Sequence, residues 1–361
     1  MPPHCQAVNR YVNLIGLMMT IFASYLIIPQ IDRLQMRNYL SLPLFPKFFW
    51  LLCLFNIAYG QQKRNYPIID VHMHAFPANW LGKHSISFCE GHVTEYLPAN
   101  KPMGFNELLN CDEVISGATD SIIMHKSFQM MKKYNIIKAV TSGSKMNEWK
   151  KANPDGIISS LMFLLSDKIS PDSVRTIIKR DSIKVIGELG PQYEGLPADA
   201  PAYEPYWALA EELEIPVGIH LATGPPGGFL MGFKAIRGAA GNPLNLENVL
   251  VKHPKLKVYV MHAGWPWIDN MLNLLYLHPQ VYVDISYINY MLPKEEFSLY
   301  LKRLVGAGFG KRIMWGSDQM IWPESIKAAV ESVKSAKYLT EVQKKDIFYN
   351  NAVRFFNLNM N

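Results

Sequence analysis

The sequence predicts a single (β/α)8 TIM barrel, and three observations point to it. Short apolar runs rich in β-branched residues recur from Pro67 onward, alternating with amphipathic or polar stretches. The runs number eight, and most are nearly continuous hydrophobics, as strands covered on both faces should be. No Gly-rich phosphate turn follows the first run, which sets aside an open dinucleotide-binding sheet.

In order, the runs are "IIDVHMH" (68–74), "IIKAVTSG" (136–143), "IISSLMFLL" (157–165) and "IKVIGELG" (183–190), then "IPVGIHLA" (215–222), "LKVYVMHAG" (256–264), "VYVDIS" (281–286) and "RIMWGSD" (312–318). The later runs are separated by segments of helix-plus-loop length. "EPYWALAEELE" (204–214) and "PESIKAAVESVKSAK" (323–337) predict helices, each with Pro near its first turn. A long insertion, about Ala75 to His125, follows strand 1, and an irregular loop, "TGPPGGFLMGFKAIRGAAGNP" (223–243), follows strand 5. Long loops after barrel strands carry substrate contacts or lids. No internal repeat or low-complexity linker follows residue 66, so residues 61–361 read as one barrel domain.

The N-terminal residues are of another kind. "YVNLIGLMMTIFASYLIIP" (11–29) is an uncharged run of nearly bilayer-spanning length. From Met36 a second piece has Arg37 and Lys47, an apolar run from Phe48 to Ala58, and small residues at Ala58 and Gly60. That is the layout of a secretory signal cleaved after Gly60. Two arrangements fit: residues 1–35 as a hydrophobic extension upstream of a start at Met36, with 36–60 a signal peptide, or two membrane-embedded segments in tandem. Under either, residues 61–361 are expected to be exported, periplasmic or extracellular, and held at a membrane only through an uncleaved N-terminal segment.

Of four cysteines, Cys5 and Cys53 fall in that N-terminal part. Cys89 and Cys111 remain, a pair that an oxidising compartment can join as a disulfide or leave as two buried thiols. There is no C-x-x-C, so cysteine-based zinc binding has no support. The net charge of +6 comes without a basic stripe, which argues against a nucleic-acid partner.

Barrel active sites form at the C-terminal ends of the strands. Strand 1 ends in His72 and His74, which alternation places on one face together with Asp70. Strand 4 carries Glu188 and strand 5 His220; strand 6 ends at His262 and strand 8 at Asp318. Each alone has an ordinary explanation: a hydrogen-bonded histidine, a core-edge carboxylate, a helix N-cap at Asp318. Together they put six ligands of the types that zinc, manganese or iron accept at one edge of the predicted barrel.

"DVHMH", "GELG", "GIHLA", "MHAG", "VYVDIS", "WGSD" and the closing "NNAVRFFNL" (350–358), in this order, resemble the amidohydrolase superfamily over roughly residues 66–358. The closest fit is its second large branch, metal-dependent barrel hydrolases and decarboxylases. The resemblance implies that His72, His74 and Asp318 bind a first metal, with His220 shared or nearby. It implies that Glu188 takes the place where many relatives have a carboxylated lysine or a glutamate bridging two metals. His262 would ligate a second metal or hydrogen-bond substrate. The implied cofactor is a divalent metal, zinc first and manganese or iron next, as one ion or two.

The chemistry that follows is metal-activated water, its pKa lowered toward ~7, with Asp318 accepting the proton and passing it to the leaving group. The metal, or a free His262, would stabilise the developing oxyanion. For the small-molecule substrate, Arg237 can clamp a carboxylate or be a solvated loop arginine. Trp265 and Trp267 can wall a pocket or pack the barrel rim. Phe229, Leu230, Met231 and Phe233 can cap the pocket or meet a second subunit in a homo-oligomer. Three functions are carried forward. One is hydrolysis of a small ester, lactone or amide; another is non-oxidative decarboxylation of an aromatic or unsaturated acid; the last is a non-catalytic metal-binding barrel.

Overall fold

The computed structural model of the chain describes residues 66–82, 87–91, 102 and 119–360. The expected extension (1–35), the signal (36–60) and most of the insertion after strand 1 lie outside these residues, as does Cys111. Cys89 is buried and disulfide-bonded. No helix among the described residues is long and apolar enough to cross a membrane.

Eight parallel strands form one sheet in sequence order: β1 (Ile68–His74), β2 (Ile136–Ser142), β3 (Ile157–Phe163), β4 (Val185–Leu189), β5 (Val217–His220), β6 (Val258–Met261), β7 (Val281–Asp284) and β8 (Ile313–Met314). The last strand meets the first: Val71 N donates to Trp315 O at 3.1 Å, His74 N to Gln319 O at 2.8 Å, and Met73 bridges Gln319. The sheet is therefore a nearly closed barrel. Each strand is followed by a helix, in order α1 (Asp120–Tyr134), α2 (Met146–Ala152), α3 (Pro171–Arg180), α4 (Glu204–Glu212), α5 (Glu247–Lys252), α6 (Ile268–Leu277), α7 (Lys294–Leu304) and, after β8, α8 (Ser325–Lys334).

Local chemistry explains these boundaries. Thr119 caps α1 by accepting from Ile122 N, and Asn135 ends it in the left-handed conformation. Ser170 and Pro171 open α3 as N-cap and first helical residue. Strand β1 spans its whole apolar run, and the other seven strands are shorter than theirs, β8 being cut to two residues. The larger core lies between sheet and helices, with Trp149, Trp207 and Trp315 fully buried. A smaller one joins Ile69, Val71, Val185, Tyr259, Met261 and Met314 to Phe355 near the chain's end. Tyr259 Oη donates to Val71 O at 3.2 Å, a bond between strands that are not neighbours and so one that crosses the barrel interior. This apolar packing fills the barrel around the strand starts and leaves the strand ends to polar side chains.

Candidate metal centre

His72 and His74 end β1, Glu188 lies in β4, and His220 ends β5. His262 and Asp318 stand just beyond β6 and β8, both at positive φ (55° and 46°). Such backbone is uncommon outside glycine and marks a position held by its surroundings. Asp318 is held by its N–H, which donates to His72 O at 2.7 Å, and by its carbonyl, which accepts from Tyr290 Oη at 3.1 Å.

The six side chains converge. Glu188 Oε2 lies 3.5 Å from His72 Nε2 and 3.4 Å from His74 Nε2, and its Oε1 lies 3.9 Å from His220 Nε2. Asp318 Oδ1 is 3.1 Å from His74 Nε2 and 3.6 Å from His72 Nε2. Three sets with donor atoms within metal-sharing reach result among the described residues: His72–His74–Glu188 and Glu188–His220–His262, which share Glu188, and His72–His262–Asp284.

The opposite ring nitrogens say what these rings can do. His72 Nδ1 faces Asp284 Oδ2 at 3.1 Å and Ser286 Oγ at 2.9 Å; His262 Nδ1 faces the Ser286 carbonyl at 3.0 Å. A carboxylate and a carbonyl only accept, so both Nδ1 atoms carry the proton and each Nε2 presents a lone pair inward. His74 Nδ1 lies 2.9 Å from Ser142 Oγ, which can accept likewise. His220 Nδ1 is bonded to the Gln192 side-chain amide, while Tyr193 Oη stands 3.0 Å from its Nε2. The result is that His72 Nε2 and His74 Nε2 face each other at 3.1 Å as two acceptors. Only a proton or a metal cation between them makes that approach favourable.

Charge tells the same story. Glu188, Asp284 and Asp318 are ion-paired among the described residues to histidines alone, never to Lys or Arg. Burial opposes charge on His72, yet Asp318 and Asp284 overcome it and raise its pKa well above the ordinary value. The same contest, with Asp318 and Glu188, raises His74. His220, buried and beside His262, is pushed down to about 3 and stays neutral. Burial would raise Asp284, but His72 outweighs it and the carboxyl is lowered. Buried carboxylates without fixed cations favour bound ones.

Sequence reasoning did not name Asp284, Ser286, Ser142 or Gln192. The first two lie in "VYVDIS", and the strand-end test that found the other six would have found Asp284 there. Ser142 and Gln192 carry no local signal, because only the fold brings them to a histidine. Asp70, expected on the ligand face, lies outside the converging sets: β1 is irregular between Asp70 and Met73, and Asp70 Oδ1 instead accepts from the N–H groups of His72 and Ser317. Burial raises its pKa to about 7. The Arg237 guanidinium donates to the carbonyls of Lys234, Ala235 and Ile236 in its own loop. Trp265 gives its indole N–H to Glu296 Oε1 at 3.0 Å, on α7. Neither donor points to the centre in this structure.

Residues 69–358 match the amidohydrolase family model. The chain belongs to the amidohydrolase family, and it is a metal-dependent enzyme. Among solved structures, it resembles a probable 2-pyrone-4,6-dicarboxylic acid hydrolase from Acinetobacter baumannii (16% identity, 81% of this chain and 100% of that one, TM-score 0.52). It also resembles the 4-oxalomesaconate hydratase of Rhodopseudomonas palustris (15% identity, 80% and 95%, TM-score 0.52). A third is an uncharacterized TIM-barrel protein from Bordetella bronchiseptica (18% identity, 64% and 81%, TM-score 0.52). At these identities the likeness is one of fold. A curated relative, protein fluG of Emericella nidulans, is 22% identical over 133 residues, 33% of this chain and only 15% of that protein.

Proposed function

We propose that this enzyme hydrolyses a small-molecule ester, lactone or amide at a centre built from His72, His74, Glu188, His220, His262 and Asp318. The observation that carries the reading is the pair of inward acceptors, His72 Nε2 and His74 Nε2, 3.1 Å apart and ringed by carboxylates that no Lys or Arg neutralises. That donor set, imidazole with carboxylate, fits zinc first and manganese or iron next. His72, His74, Glu188 and Asp318 would hold one ion; Glu188, His220 and His262 would hold another. A bound cation supplies Lewis acidity, which activates water near neutral pH and polarises the scissile carbonyl.

The chain's own groups do the rest. Asp318 Oδ1 lies beside both strand-1 histidines, where it can take the proton of an attacking water and pass it to the leaving group. Asp284 and Ser142 keep His72 and His74 in the ligating tautomer, the usual work of partners behind a metal ligand. His262 has its Nδ1 proton committed to Ser286 O, which favours its role as a ligand over that of hydrogen-bond donor to substrate. The bonded Cys89 supports export to an oxidising compartment.

The test is metal analysis of the purified protein beside hydrolysis of phenyl acetate, dihydrocoumarin and anilide substrates. Bound transition metal, lost in His72→Ala together with turnover, is the expected result. A metal-replete protein that turns over none of the three, yet releases carbon dioxide from aromatic acids, would replace hydrolysis by decarboxylation.

A further inference from the structure

The next step rests on the ligand sets assigned to the two ions in that reading and concerns the order in which they fill. We propose that the sets are unequal. His72, His74 and Glu188 stand open to a cation, whereas Glu188, His220 and His262 are guarded by Tyr193, whose hydroxyl holds His220 Nε2 until a second ion displaces it.

The guard is built on one turn. β4, which supplies Glu188, runs through Gly190 into a short 3-10 turn, Pro191–Glu194. Consecutive residues of that turn take both nitrogens of one ring. The Gln192 side-chain amide is bonded to His220 Nδ1, and Tyr193 Oη lies 3.0 Å from His220 Nε2. The rings of Tyr193 and His220 meet with centroids 4.7 Å apart and planes at 40°. Tyr193 reaches this place by crossing Gly190, where a Cβ would strike its ring.

At one imidazole nitrogen, a hydrogen bond and ligation exclude each other. Either Nε2 carries the proton and donates it to Tyr193 Oη, or Nε2 has the lone pair and Tyr193 O–H donates to it. Neither state leaves an electron pair for a cation. The strand-1 histidines differ. Among the described residues, the hydrogen-bond and ion-pair partners of His72 Nε2 and His74 Nε2 are each other, Glu188 and Asp318. Those carboxylates attract a cation rather than keep it out, and Asp318 gives this set a second negative charge.

Gln192 carries a second sign of the same arrangement. It is fully buried, and with its amide nitrogen on His220 Nδ1 its Oε1 has no hydrogen-bond partner. Buried polar side-chain atoms normally find one, so the unpartnered oxygen is a cost of the guarded state. With the amide turned over, Oε1 would accept an Nδ1 proton and Nε2 would carry none. One hydrogen bond from Tyr193 then remains between His220 and a cation.

The test titrates zinc calorimetrically into the full-length protein, stripped beforehand with a chelator, and repeats the titration with cobalt(II), whose visible absorption reports the ligands of each ion. Two resolved steps are expected, and His220→Ala should delete the second alone. Tyr193→Phe should tighten the second step about two- to tenfold, the worth of one hydrogen bond. The first step, the spectrum of the first cobalt and Tm should not change. A second step that is unaltered or weakened in Tyr193→Phe overturns the guard. Two steps of equal affinity in the parent, or loss of the first in His220→Ala, overturn the order of filling. A parent that takes one ion supports the proposal if Tyr193→Phe takes two, and overturns it if that variant also takes one. Protein that binds neither metal overturns the ligand sets and this order with them. Uptake is read without turnover, so failure to hydrolyse phenyl acetate would sink the hydrolase reading and leave the order of filling standing.

Discussion

Asp284→Asn isolates the contact that prepares His72. Asp284 is fully buried, and its Oδ1 accepts from His262 N at 3.1 Å, Ser286 N at 2.9 Å and Ser286 Oγ at 2.5 Å. Its Oδ2 meets His72 Nδ1 at 3.1 Å. Asparagine can keep its carbonyl oxygen on the first three donors, so that part of the network survives. The amide nitrogen then faces His72 Nδ1, donor against donor, leaving Ser286 Oγ at 2.9 Å as the one remaining acceptor for that proton among the described residues and favouring its move to Nε2. That proton would point at the ligand site itself, 3.1 Å from His74 Nε2. Loss of such an orienting partner costs ~10–100-fold in metal affinity, or about 1.4–2.7 kcal/mol. Competition against a chromophoric chelator at fixed pH measures it, with circular dichroism checking the fold. An affinity within about twofold of the parent, far below the ~10-fold floor, would refute the argument that Asp284 sets the tautomer.

Three more outcomes are expected. Asp318→Asn should lower kcat by ~10²–10⁴, the usual worth of a positioned base, and near-parental turnover of phenyl acetate would remove Asp318 from that role. Metal retention should fall as pH drops, because a histidine ligates only when deprotonated; with His72 and His74 raised, dialysis across a pH series should show the loss starting above the ordinary ~6.5, and retention down to about pH 5 would contradict the arrangement. Gly316→Ala would place a Cβ 2.9 Å from His72 Cβ and 3.0 Å from Ser286 Cβ. Overpacking of this kind costs ~1–3 kcal/mol, readable in urea unfolding, and a parental midpoint would show that β1 yields more easily than the packing implies.

Much of this site was legible because barrels gather their chemistry at one edge. Once eight apolar runs are counted, the polar residue closing each is a candidate, and His72, His74, Glu188, His220, His262 and Asp318 all follow. Arg237 shows where that reasoning stops. A loop arginine near a predicted mouth reads as a clamp or as solvated surface, and which it is depends on carbonyls that only the folded loop presents. Asp70 shows the other limit, since alternation assumes a regular strand and β1 is not regular there.

The sequence by itself determined the barrel, the order of its strands and the candidate ligands at the strand ends, because apolar periodicity and residue chemistry are properties of short stretches. The tertiary structure decided which nitrogen of each histidine faces inward, that Glu188 is shared by two sets of candidate ligands, and that Arg237 and Trp265 direct their donors elsewhere. Apart from Arg237, whose acceptors lie one to three residues away in its own folded loop, those depend on partners more than twenty residues away, such as Asp284 for His72 and Ser286 for His262, and no local pattern encodes a hydrogen bond formed across a closed sheet.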